Sequence, residues 1–144
     1  MNFPPSFENW LLKNYFRIEM IILIIIIFSL ILKNNFLTGT SLTILAILYF
    51  IRAQFKMEGE PSILNQLIHK GMPIAWAMAV MGIMFTLLKL PGSSSQIKVG
   101  ISAITIITIL HLILNFRKNE NILDEPLIRS LILLAISIIT VLYF

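Results

Sequence analysis

Around residues 85–100 a short polar turn sits between two long apolar runs. Pro91 cannot continue a helix, Gly92 gives the backbone freedom to reverse, and Ser93, Ser94 and Ser95 keep the break hydrated. On each side the chain stays apolar for roughly the length a helix needs to cross a bilayer. The pattern predicts the tip of a transmembrane helical hairpin. Much of the remaining sequence repeats the same theme of an apolar run closed by a brief polar break.

Composition supports the reading. Of 144 residues, 58% are hydrophobic and 12% charged, against about 25% charged in a soluble domain. The apolar excess is clustered in runs too long for a soluble core, which predicts one all-α membrane domain of about five helices. Cysteine is absent, which removes disulfides and thiolate metal sites. Lysines and arginines are scattered singly or in pairs, so no surface made for nucleic acid is expected. Pro4, Pro5 and Glu8 do not resemble a cleavable signal, and no small-residue cleavage site ends the first apolar run.

The chain divides into an N-terminal interfacial segment (1–16), a first hairpin (17–52), a cytoplasmic linker (53–71), a second hairpin (72–116), and a linker with a fifth helix (117–144). In the first segment Ser6 is a candidate helix cap and Glu8 suits the first turn. Phe7, Trp10, Leu11 and Tyr15 fall near one face, as in a helix lying in the headgroup region or one that extends the first crossing. The first and second crossings are expected over 17–32 and 36–51, separated by Lys33, Asn34 and Asn35. The linker carries Lys56, Glu58, Glu60 and Pro61, then Ile63, Leu64, Leu67 and Ile68 at helical spacing, which suggests a short interfacial helix running into the third crossing. The third crossing spans 72–90, with Trp76 near the interface and Gly71, Ala75, Ala77, Ala79 and Gly82 available for close helix contact. A fourth follows over 97–116, then a polar break from Asn115 to Asn121. Asp124, Glu125 and Pro126 then open the fifth helix, which ends with Tyr143 and Phe144 at the far interface. Several runs hold only about 16–18 residues, short for a full crossing, so local thinning or one re-entrant run is an alternative.

Basic residues set an expected orientation. Lys13, Arg17, Arg52, Lys56, Lys70, Arg117, Lys118 and Arg129 collect on one side; Lys33, Lys89 and Lys98 fall on the other. The positive-inside rule then places the N-terminus in the cytoplasm and the C-terminus outside, in a bacterial inner membrane. The seven carboxylates all share the inner side. The expected partners are the lipid bilayer and other integral membrane proteins or further copies of the chain.

An internal repeat is visible. Phe28 to Lys33, followed by Thr38, Gly39, Thr40, Ser41 and Leu42, parallels Phe85 to Lys89, followed by Pro91, Gly92, Ser93, Ser94 and Ser95. The fifth helix reads as half of a third copy. With Gly82, Ile83, Met84 and Phe85 ahead of Leu90, Pro91 and Gly92, and with Leu37, Thr38, Gly39 and Thr40, this unit resembles the membrane hairpin of GldL-type proteins. Those are inner-membrane motor components of gliding motility and type IX secretion. The resemblance implies a shared hairpin over about a third of the chain. The family's lysine after phenylalanine falls here on Ser29 and Thr86, and its histidine on Leu32 or Lys89. No carboxylate stands within 36–51 or 99–116, where that family carries its motor acid, so the comparison argues against a proton-driven motor.

The candidate functional residues are few. Glu19, at the edge of the first crossing, is an ionisable group in lipid; it reads as snorkelling, as paired locally with Arg17, or as a proton or cation site. His111 lies inside the fourth crossing, where a neutral imidazole would donate to a neighbouring carbonyl or hydroxyl. Haem or metal ligation by His111 would need a partner, and His69 is the only other histidine. Thr38, Thr40, Ser41, Thr43, Ser102, Thr105, Thr108, Ser137 and Thr140 are expected to bond back to their own helices or to join helices. Met72, Met78, Met81 and Met84 read as packing. With no nucleophile–base set or phosphate loop, no enzyme and no cofactor are expected. The favoured reading is a non-catalytic accessory subunit of a larger membrane complex. The alternatives are a small oligomeric transporter or channel, and a redox subunit using His111.

Overall fold

The computed structural model describes residues 4–55, 63–118 and 124–143. Lys56, Glu58, Glu60 and Pro61 of the central linker, Asn119, Glu120 and Asn121 of the next polar break, and Phe144 lie outside the described residues. Five helices follow in order: α1 (Pro5–Ile31), α2 (Asn35–Ala53), α3 (Ile63–Leu87), α4 (Ser93–Lys118) and α5 (Glu125–Tyr143). Each is long and apolar enough to cross a membrane. The shortest hold 19 residues, about 28 Å at 1.5 Å per residue, which matches the hydrocarbon core without thinning.

Helix ends differ from the sequence expectation in instructive ways. Ser6 is not the first cap: Pro4 holds that position and α1 starts at Pro5, which the first turn tolerates because no amide is needed there. From there α1 is unbroken to Ile31, so the N-terminal segment and the first crossing are one helix. The helical stretch after Pro61 runs straight into the third crossing, the two forming one helix, α3, over Ile63–Leu87 with Pro73 inside it. Asn115 does not end α4, which continues to Lys118.

The two hairpin tips share one geometry. Lys33 and Lys89 both adopt φ of 52°. The Asn34 amide reaches back to the Ser29 carbonyl at 3.0 Å, and the Leu90 amide to Phe85 at 2.9 Å. These six-to-one bonds with a left-handed residue are Schellman closures, with lysine standing where glycine is usual. The helix therefore stops before Pro91, and Gly92, at φ 80°, shapes only the second half of the turn. The closures also correct the repeat: with the lysines in register, Ser29 is equivalent to Phe85, one residue away from the match made by phenylalanine. Asn34 then caps α2, its side chain accepting from the Leu37 amide at 3.0 Å.

Helix α3 is central. It packs on α2, α4 and α5, while α1 meets α2 and α5 also meets α4. Trp76, Ala79 and Val80 are almost wholly buried, so the Trp76 ring belongs to the core of the bundle. The α3–α4 contact is the closest because both helices are bare where they cross. A Cβ on Gly82 would stand 2.8 Å from Ile97 Cα, and one on Gly100 would stand 2.8 Å from Ala79 Cα. Backbone cannot yield as a side-chain tip can. Gly100→Leu is therefore expected to lower stability by about 2–3 kcal/mol, seen as a fall in the thermal midpoint in detergent. Ser102→Leu, on the outward face, should leave that midpoint nearly unchanged.

Candidate functional site

About 18 Å of helix separates Glu19 from the Ile31 end of α1, so this carboxylate lies well inside the bundle rather than at its rim. It is 4% exposed. A bare charge there is costly unless it is paired and hydrogen-bonded. Arg129, in the second turn of α5, supplies the pairing, with Nη1 at 2.5 Å from Glu19 Oε2. The Tyr49 hydroxyl of α2 donates to Glu19 Oε1 at 2.7 Å. On its other side Arg129 reaches Glu125 at 2.6 Å, four residues back on the same helix. The expected pairing of Glu19 with Arg17 is thus replaced by one that joins α1, α2 and α5. A helix neighbour two residues away points to a different face, and Arg17 is exposed.

Aromatic rings complete this layer. The Arg52 guanidinium carbon lies 4.5 Å from the Tyr15 ring centre and 5.6 Å from that of Trp76; Arg129 lies 5.6 Å and 5.9 Å from the same two rings. Ring faces carry negative potential, so two cations that repel each other are held together with Glu19 between aromatic surfaces. Trp76 stands edge-on to Tyr49 at 5.5 Å and donates from Nε1 to the Ser130 hydroxyl at 2.8 Å. The Tyr15 hydroxyl is buried without a hydrogen-bond partner among the described residues.

A second polar group sits where α4 meets the start of α5. Asp124 caps α5, its Oδ1 accepting from the Leu127 amide at 3.1 Å. Its Oδ2 lies 2.7 Å from His111 Nε2 and accepts from Asn115 Nδ2 at 3.2 Å. Asn115 Nδ2 also lies 3.3 Å from His111 Nε2, so the amide, the imidazole and the carboxylate form one cluster. Among the described residues the His111 imidazole thus meets a carboxylate at the start of α5, where a carbonyl or hydroxyl was the expected partner.

Both histidines line one cavity of about 270 Å³, together with Arg52, Trp76, Asn115 and Asp124. His69 Nδ1 is buried and has no partner among the described residues. Pro73, also on the wall, withdraws the amide that would otherwise bond the His69 carbonyl. The cavity thus combines a cation, an uncommitted ring nitrogen and a carboxylate. Among the described residues no three histidines or acids are placed to hold a metal ion.

The structure brings Glu19, His111 and His69 to the same end of the bundle, with Pro91 and Gly92 at the opposite end. Arg129, Tyr49, Asp124 and Trp76 were not singled out by sequence as members of a site. The available signal was that Arg129 stands one turn inside an apolar helix, where an ionisable group is as costly as Glu19. Hydroxyls behave largely as expected: Ser41, Thr43, Thr108, Ser137 and Thr140 bond to their own helix, and Ser29 meets Thr38 across the first hairpin at 2.9 Å. Ser102 and Thr105 are the exceptions.

No protein family, curated protein or solved structure matches this chain.

Removing one member of the buried pair strands the other. Glu19→Gln or Arg129→Gln is expected to cost about 3 kcal/mol, measured by thermal unfolding in detergent. The double variant Glu19→Leu with Arg129→Leu should recover most of that loss.

Proposed function

We propose that this chain is a non-catalytic accessory or structural subunit of a larger bacterial inner-membrane assembly, which it meets side-on within the bilayer. The observation that carries this reading is the outward face of α4. Ser102 is exposed and Thr105 half-buried, and neither side-chain hydroxyl makes a hydrogen bond among the described residues. Ser102 lies about 14 Å along the helix from Ser93, near mid-bilayer depth. An unpaired hydroxyl facing lipid is unfavourable, whereas a small polar side chain on a helix face suits close approach and bonding to a neighbouring helix. Ser95, Val99, Ser102, Ile106, Ile109 and Ile113 are all exposed and alternate at spacings of four and three, the period of a seam between packed helices.

The hairpin's likeness to the GldL-type unit agrees with membership of such an assembly. The positive-inside rule puts the Glu19 end of the bundle on the cytoplasmic side. An oligomeric transporter or channel is the second reading, favoured by the cavity lined by Arg52, His69 and Asp124. It would need a polar route through the other half of the bundle, where the buried hydroxyls Ser137 and Thr140 are bonded to their own helix.

The absence of cysteine makes the test clean. Ser102→Cys, cross-linked in native membranes, is expected to trap one partner at fixed stoichiometry, and Ser102→Trp should abolish co-purification of that partner. A chain that is recovered only as a monomer, or that alone carries solute flux in liposomes, would refute the subunit reading.

A further inference from the structure

Above the charged layer the gap between α1 and α5 stays open. The gap is an apolar cleft of about 770 Å³ walled by α1, α2, α3 and α5, within the roughly 300–1,000 Å³ range of ligand pockets. We propose that it holds one acyl chain of an anionic phospholipid from the leaflet at the Lys33 end.

Three observations select this occupant. The first is depth. Along α2 the wall runs from Asn35 to Leu45, about 15 Å, which is half the hydrocarbon thickness and the reach of one acyl chain. The second is the floor. Leu23, Leu45 and Leu133 close the cleft one turn from Glu19, Tyr49 and Arg129, so the ion pair that joins α1 to α5 sets where the chain must stop. The walls give water little to bind. Thr38 is already bonded to Ser29 and to the Asn34 carbonyl, and Thr140 to Ile136. An apolar space of this kind takes hydrocarbon, not water.

The third observation is charge at the mouth. Lys33 lines the opening, fixed there by the left-handed closure of the first hairpin. It makes no ion pair among the described residues. Lys89 and Lys98 belong to the same end of the bundle, while the carboxylates Glu8, Glu19, Asp124 and Glu125 belong to the other end or to the charged layer. A phosphate beside Lys33 meets cationic charge and the N-terminus of α2, with no carboxylate nearby to repel it.

The test uses the full chain, reconstituted with phosphatidylglycerol or phosphatidylcholine, extracted in mild detergent and weighed by native mass spectrometry. One phosphatidylglycerol should remain on each chain, preferred over phosphatidylcholine by about fivefold. Lys33→Gln should erase that preference. Ile136→Trp, which fills the cleft from the exposed side of α5, should abolish retention of either lipid. As a check independent of that variant's folding, phosphatidylglycerol should raise the thermal midpoint of the unsubstituted chain more than phosphatidylcholine does, and the two lipids should act equally on Lys33→Gln. Retention indifferent to headgroup in the unsubstituted chain, a headgroup preference that survives Lys33→Gln, retention that survives Ile136→Trp in a folded chain, or several lipids held equally as a loose annulus would overturn the proposal.

Discussion

A carboxylate cannot stay ionised in hydrocarbon without a partner, and Glu19 finds its partner on the helix farthest away in sequence. That pairing with Arg129 shapes the bundle. Helices α1 and α5 have no close backbone contact, so these two side chains span the gap between them. The Tyr49 hydroxyl fixes the second carboxylate oxygen, and Tyr15 and Trp76 place ring faces against the arginines. Ion pairs of this kind add little net stability compared with apolar packing, because desolvation offsets the attraction. In this arrangement the buried Glu19 carboxylate has both oxygens partnered, by Arg129 and by Tyr49.

The bundle is accordingly two unlike halves. Toward the N-terminus of α1 the interior is polar and crowded with charges, rings and the histidine-lined cavity. Toward the hairpin tips it is held by small residues, by hydroxyls bonded within their own helices, and by the near-contact of bare backbone at Gly82 and Gly100. The first half ties together elements far apart in sequence, and the second joins neighbours within a hairpin.

This division also explains how much was readable beforehand. Apolar runs identify all five helices because lipid leaves the backbone no other way to satisfy itself. Turn chemistry near Lys33 and Pro91 marks the hairpin tips, and Asp124 is recognisable as a cap. Tryptophan at such a position suggests a membrane interface in general, and the sequence carries no sign that the Trp76 ring is buried among the helices. The partner of Glu19 is hidden because a contact across more than a hundred residues leaves no local trace. The one-residue shift in the repeat has a similar origin: phenylalanine is the conspicuous letter, but the left-handed lysine is the structural equivalent. The charge at Asp124 serves both as cap and as partner of His111, and spacing along the chain shows only the first of these roles.

The hairpin tips bear on the order of assembly. Each is closed by bonds spanning six residues, so α1–α2 and α3–α4 can each reverse direction as they emerge, without waiting for the rest of the chain. Glu19 then sits in the membrane with a tyrosine hydroxyl for company until α5 arrives. A chain truncated before Arg129 would keep the first four helices but leave Glu19 without its ion-pair partner, so the arrival of α5 is what settles the charge buried by α1.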